Sequence, residues 1–381
     1  LQHNVTFAAL VTLTPQAFTE GGFFTLMGEL ARRWDATLTC EIKDTYPQET
    51  LEQAQSLEDA PYPNRHKFAA TVLDRRGLQA SFLSAWTALL LRARISIERM
   101  RRLNDPTHGL ICIDYKLSVP NDVDHDALRA QLYALSHAHG TDVALQEEGV
   151  FRRHKRLVVF DMDSTLVKQE VIDEIAKKAG VVDQVAKITE RAMNGEIDFT
   201  TSLRERVALL NGTPVDVLDQ VKQLLTFTPG ARVLCRALKR IGFKLAVISG
   251  GFMPLALHVK RELGLDYAFA NQLKVSADGT CLTGETVGPV IDGARKAELL
   301  QVIAQAESVS LDQVIAIGDG ANDLPMLAVA GLGVAFQAKP IVQERAKTRI
   351  NQQNLRYVLY LLGYTDDEAK QLLNEDMSEW V

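Results

Sequence analysis

With 381 residues, 46% of them hydrophobic and 24% charged, the chain is long enough for two or three globular domains and is not composed like a disordered protein. A net charge of −6 argues against nucleic acid or an anionic membrane as the main partner. The four cysteines (Cys40, Cys112, Cys235, Cys281) are scattered with no CxxC pair, no apolar run reaches the ~18 residues of a membrane span, and no basic-apolar leader opens the chain, so a cytoplasmic setting without zinc is expected.

Phe7 to Leu13 reads as a strand, Gly22 to Trp34 as a helix and Thr37 to Ile42 as an alternating strand. Asp44 to Arg65 is polar, contains Pro47, Pro61 and Pro63, and reads as a linker. A strand at Ala69–Leu73, a helix at Leu78–Leu91, strands at Ala93–Met100 and Leu110–Leu117, a helix at Asp124–Ala138 and a strand at Asp142–Gln146 then follow. That β-α-β-β-α-β order is ferredoxin-like. His137 and His139 close a helix and read as solvated cations near its C-terminus. The basic run Arg152-Arg153-His154-Lys155-Arg156 reads as a solvated linker rather than a nucleic-acid patch.

The second half is built around one recurring pattern. Leu157-Val158-Val159-Phe160 is a short strand buried on both faces, and it runs into Asp161-Met162-Asp163-Ser164-Thr165. Leu245–Ile248 runs into Ser249-Gly250-Gly251, and Val314–Ile317 into Gly318-Asp319-Gly320-Ala321-Asn322-Asp323. In open parallel sheets, ligands bind beyond the carboxyl ends of the strands. Three buried strands ending this way predict one site along one sheet edge. An aspartate there can act as a nucleophile toward a phosphate ester, which splits a hard hydrolysis into two easier steps. Asp161 follows its strand directly. Asp163, two residues on in extended chain, would point the same way and serve as proton donor and acceptor. Two carboxylates would repel a phosphate dianion. Mg²⁺, which prefers oxygen ligands, resolves this, with Asp161 and Asp319 as expected ligands. Ser249 offers a hydroxyl and Gly250 an unobstructed N–H before a helix near Phe252 that carries Pro254 in its first turn.

The DxDST segment at 161–165, Ser249-Gly250-Gly251, Lys296 and the segment 318–323 match, in order, the motifs of the haloacid dehalogenase superfamily, and residues 157–345 resemble phosphoserine phosphatase within it. The resemblance implies a Rossmann-like α/β core, an aspartyl-phosphate intermediate and the last step of L-serine biosynthesis. It implies that the backbone carbonyl of Asp163 joins the metal ligands, that Lys296 neutralises phosphate, that Asn322 touches substrate, and that Asp323 supports the metal or the lysine from behind. The ferredoxin-like region resembles an ACT-type regulatory domain, a family that often binds amino acids. A dimerisation or packing module is the plainer alternative.

Between Thr165 and the next core strand, periodicity predicts helices at Glu170–Ala179, Val182–Met193, Thr201–Leu210 and Pro214–Leu225, a small cap over the site. Arg206 flanks the apolar stripe of Leu203, Val207 and Leu210, where a guanidinium could grip a carboxylate with two hydrogen bonds. By resemblance Glu170 would hold the substrate ammonium, and Met193 and Phe199 would be apolar closing residues. O-phospho-L-serine carries the three charges these groups match. The expected division is 1–65, an α/β segment and linker; 66–150, the ferredoxin-like (ACT-like) domain; 151–167 with 229–350, the phosphatase core; 168–228, the cap; and 351–381, a helical tail. The rival expectation is a phosphatase or phosphotransferase of the same superfamily acting on another small ester. A homodimer through the N-terminal region is left open.

Overall fold

The computed structural model describes residues 65–105 and 110–373, and the elements expected before Arg65 and after Leu373 lie outside them. The ferredoxin-like order is present: β1 His66–Asp74, α1 Ala80–Arg92, β2 Ser96–Arg102, β3 Ile111–Val119, α2 His125–His139 and β4 Asp142–Glu147. These strands form an antiparallel sheet ordered β2-β3-β1-β4. Ala93 does not begin β2 as expected. Its N–H still bonds Leu89 and that of Ile95 bonds Leu90, so Ala93–Ile95 finish the helix.

The chain passes through α3 Val150–Arg153 into β5 Leu157–Phe160, then through four helices: α4 Val171–Ala179, α5 Val182–Met193, α6 Phe199–Ala208 and α7 Val217–Leu224. α6 starts at Phe199 rather than Thr201 because Asp198 caps it, accepting from the Thr201 N–H at 2.7 Å. α8 Ala231–Arg240, β6 Lys244–Phe252, α9 Met253–Leu263 and the hairpin β7 Tyr267–Val275 with β8 Leu282–Val287 follow, then α10 Gly293–Ala306, β9 Val314–Gly318, α11 Leu324–Val329 and β10 Leu332–Phe336. α12 Pro340–Arg345, β11 Thr348–Ile350, α13 Val358–Leu361 and α14 Asp366–Leu373 end the described chain. The seven-stranded sheet is ordered β11-β10-β9-β5-β6-β7-β8, parallel except for the final hairpin pair.

Strand alternation explains why this sheet is buried on both sides. Val158, Phe160, Leu245, Val247, Ile315 and Ile317 pack into one core; Leu157, Val159, Ala246, Ile248, Val314 and Ala316 pack into the other. β5 lies between β6 and β9, with Phe160 in register with both Val247 and Ile317. The three chain segments leaving these strands therefore emerge side by side.

Two residues of the basic run depart from the expectation of a solvated linker. Arg152 is buried and bonds the Asp114 carboxylate at 2.5 and 3.1 Å, Glu148 at 2.9 Å and the Leu361 carbonyl at 3.3 Å. Lys155 is buried too, donating to the Asp312 carbonyl at 2.5 Å, and burial pulls its pKa down to about 8. Arg153, His154 and Arg156 between and beside them are exposed, as expected. His139 likewise departs from the solvated reading: half-buried, it packs edge-on against Phe82, while His137 is exposed. The tail, for which the sequence suggests only helix and acidity, fills the space between the halves. Leu355, Tyr357 to Leu362, Ala369 and Leu373 share one core with Leu73, Leu103, Cys112 and Ala144 of the ferredoxin-like half.

Candidate active site

Asp161 leaves β5 in extended conformation, its N–H bonded to the Ile317 carbonyl at 2.8 Å. Its side chain meets Lys296, which projects from α10. The helix begins at Gly293, where Asp292 caps it by accepting from the Arg295 N–H at 2.8 Å. That start places Lys296 one turn inside, fully buried, with Nζ donating to Asp161 Oδ1 and to Asp323 Oδ1, each at 2.6 Å. Asp323 Oδ2 accepts from the Gly320 N–H at 2.9 Å, so both its oxygens are committed. A side chain at Gly318 would occupy the space of this carboxylate. Asp319 leaves β9 beside them, and Thr165 Oγ1 donates to its Oδ1 at 3.0 Å. One oxygen from each of Asp161, Asp319 and Asp323 lies within 4.8 Å of the others.

Asp163 sits in the turn after β5, made possible by a positive φ of 55° at Ser164. One oxygen, Oδ2, lies 3.0 Å from where a Cβ on Gly251 would be; the other, Oδ1, is buried with no hydrogen-bond partner in the protein. Ser249 and Gly250 lie near the end of β6, where its pairing with β7 slips, and Ser249 is buried. Asn322 approaches Gly250, its Nδ2 being 3.7 Å from where a Cβ there would stand. Phe199, at the start of α6, comes closer: its Cζ is 2.8 Å from that position, so a side chain at Gly250 would push the ring away.

The electrostatics are unbalanced. Burial and then Asp323 push the Asp161 carboxyl well above its ordinary range, with Lys296 opposing. Burial, Glu170 and Asp161 do the same to Asp163. Burial, Asp323 and Glu170 push Asp319 up to about 7. Lys296 alone, among the described residues bonded to these acids, supplies positive charge. A hard divalent cation fits: carboxylate oxygens converge, one lysine cannot neutralise them, and the buried Asp163 Oδ1 lacks a partner.

At the rim, Glu170 is exposed at the N-cap of α4 and accepts from Ser164 Oγ at 2.8 Å. Arg206 is half-buried on α6. Burial lowers its pKa, opposed by Asp173, Glu170 and Asp163, so its guanidinium lies in their field. Its Nε donates to the Ser202 carbonyl at 3.3 Å. Met193, 66% exposed at the end of α5, leaves its side chain largely in solvent, whereas Phe199 covers Gly250. Thr165 gives a signal by standing inside the DxDST segment, whereas Asn271 gives none, being one polar residue of a strand that is only partly buried.

A family model described as haloacid dehalogenase-like hydrolase matches residues 155–331. A probable phosphoserine phosphatase of Schizosaccharomyces pombe is 51% identical over 239 residues, 63% of this chain and 80% of that protein. A phosphoserine phosphatase of Streptomyces coelicolor is 44% identical over 304 residues, 79% of this chain and 72% of that protein. Among solved structures, a phospho-aspartyl intermediate analogue of phosphoserine phosphatase superposes with a TM-score of 0.51 at 47% identity, covering 54% of this chain and 98% of that one.

Proposed function

Since the chain belongs to the phosphoserine phosphatases of the haloacid dehalogenase-like hydrolases, we propose that it hydrolyses O-phospho-L-serine to L-serine and phosphate, the closing step of L-serine biosynthesis in a cytoplasmic setting. The observation that carries this reading is the Lys296 bridge between Asp161 and Asp323 beside Asp319, at the edge where β5, β6 and β9 end.

Asp161 attacks phosphorus in line while the bond to the serine oxygen breaks. Asp163, whose raised pKa favours the protonated acid, gives its proton to the departing alkoxide. In the second step Asp163, now a carboxylate, takes a proton from water as that water attacks phosphorus. The bond to Asp161 then breaks and phosphate leaves. Lys296 opposes the burial that favours a neutral Asp161 and, with the Ser249 hydroxyl and the Gly250 N–H, stabilises the phosphoryl oxygens. Mg²⁺ held by Asp161, Asp319 and the backbone carbonyl of Asp163 would supply the charge neutralisation that one lysine cannot.

Arg206 takes the substrate carboxylate and Glu170 its ammonium, and both reach the site from the cap side. Phe199 on Gly250 excludes water once the cap is down. Asn322 lines the phosphate loop. Met193 takes part in this reading only if the end of α5 moves inward on substrate binding.

A substrate panel tests the assignment. With Mg²⁺, phosphoserine should exceed sugar phosphates and phosphoglycolate in kcat/KM by about 100-fold or more, and a chelator should abolish turnover until Mg²⁺ is restored. Equal turnover across the panel would defeat the substrate assignment, and undiminished activity in chelator would defeat the metal.

A further inference from the structure

We propose that Asn271 is a positioning residue of the phosphate loop: it locks the Gly250–Gly251 peptide so that Ser249 presents its hydroxyl proton to the substrate phosphate. This rests on the proposed placing of phosphate against Ser249.

β6 bulges away from β7 at this point. β6 and β7 pair at Ile248 with Phe269 and again at Phe252 with Asn271, so Ser249, Gly250 and Gly251 face the single residue Ala270. Their backbone groups lose ladder partners and need others. Asn271, 2% exposed, provides one: its Nδ2 donates to the Gly250 carbonyl at 2.8 Å. Its Oδ1 accepts from the Ile291 N–H, also at 2.8 Å. A carbonyl on one side and an N–H on the other permit one orientation of the amide only.

The same peptide is gripped at its opposite end. The Gly251 N–H donates to Ser249 Oγ at 2.8 Å. A hydroxyl that accepts there still has its own proton to give, and the phosphate is the acceptor the mechanism supplies. A Gly–Gly peptide rotates with little steric resistance. Rotated by half a turn, it would aim the Gly250 carbonyl at Ser249. The serine would then donate to that carbonyl and be lost to the phosphate. Asn271 prevents this by holding the carbonyl on the far side. Its second bond fixes Ile291, next to Asp292, the cap of the helix that carries Lys296. One buried amide thus ties the loop of Ser249 to the helix of Lys296.

The experiment is a double-mutant cycle of Asn271→Asp with Ser249→Ala, read as kcat and KM with saturating Mg²⁺. Asn271→Asp keeps the shape and the acceptor for Ile291. It replaces the donor to Gly250 with an acceptor, which favours the rotated peptide. Each single variant should lose about 10- to 100-fold in kcat with KM changed little, and the double variant should lose at most ~3-fold more than either. Losses that multiply, or wild-type turnover in Asn271→Asp, would overturn the proposal. If Asn271→Asp does not fold, Asn271→Ala takes its place; loss of the cooperative unfolding transition in both would assign Asn271 to the fold alone and equally overturn it. If another ester proves to be the preferred substrate, the same four proteins assayed on it still decide the role of Asn271. Unchanged turnover in Ser249→Ala alone would instead sink the phosphate-loop reading and the proposal with it.

Discussion

Both halves of the molecule bury carboxylates, and they treat them differently. In the ferredoxin-like half each has protein donors to match. Asp74 accepts from the Arg76 N–H at 2.8 Å and from Thr141 Oγ1; Asp114 accepts two bonds from Arg152. Asp142 accepts from the Asn351 N–H at 2.7 Å, the Asn351 side chain at 2.9 Å and the Gln352 N–H at 3.1 Å. In the phosphatase half, Asp161 and Asp323 share one lysine, only Asp323 gaining a second donor in the Gly320 N–H, Asp319 has one threonine hydroxyl, and Asp163 leaves an oxygen without a partner. Buried acid that the protein satisfies holds the fold together. Buried acid with fewer donors and one shared counter-charge fits the proposed cation and substrate.

The comparison is broken most severely by removing the charge the site cannot spare. Lys296→Ala should lower kcat by about 10³-fold or more, because Asp161 and Asp323 are left buried without their shared counter-charge. Wild-type kcat in that variant would mean the cluster tolerates its charge unaided. Arg206→Ala should cost about 100-fold in kcat/KM on phosphoserine but under ~5-fold on a phosphate ester lacking a carboxylate, a ratio that equal losses would refute.

The other half should respond in stability, not in chemistry. Arg152→Ala strands Asp114 and Glu148 and should cost about 3 kcal/mol in denaturant unfolding, while kcat per folded molecule stays within ~2-fold. The smallest effect concerns Asp142. Burial raises its pKa from 3.8 to about 6 despite its three donors. A carboxyl whose folded pKa lies above its unfolded value favours the fold when protonated. That contribution is lost as pH rises from about 4 through 6. Stability of the wild type relative to Asp142→Asn should therefore decline over that window by on the order of 1–3 kcal/mol. A flat difference from pH 4 to 7 would show that the bonds from Asn351 and Gln352 offset burial.

Much of this organisation was legible in the sequence because it is written in short-range patterns. Leu157–Phe160 is apolar at every position, as a strand covered on both faces must be, and the acids follow immediately. The β-α-β-β-α-β order follows from alternation and turn residues in the same way. Long-range pairing leaves no such trace. Nothing local reveals that Arg152 reaches Asp114 or that Lys155 reaches Asp312, so charge alone makes that run look solvated. The tail was opaque for the same reason: Leu361 matters because its carbonyl accepts from Gln146 at 2.6 Å, 215 positions away. Asn271 is invisible until β7 is laid beside β6. Met193 and Phe199 look alike as apolar neighbours of one turn, yet only the geometry puts Phe199 on Gly250 and Met193 in solvent.

The central claim is that Asp161 carries the phosphoryl group between the two chemical steps. Acid-quenching the enzyme during turnover of phosphoserine labelled with ³²P, then mapping the label by peptide mass analysis, tests it directly. The account predicts label on the peptide bearing Asp161 and none in Asp161→Asn. Label on any other residue, or steady turnover in Asp161→Asn, would contradict it.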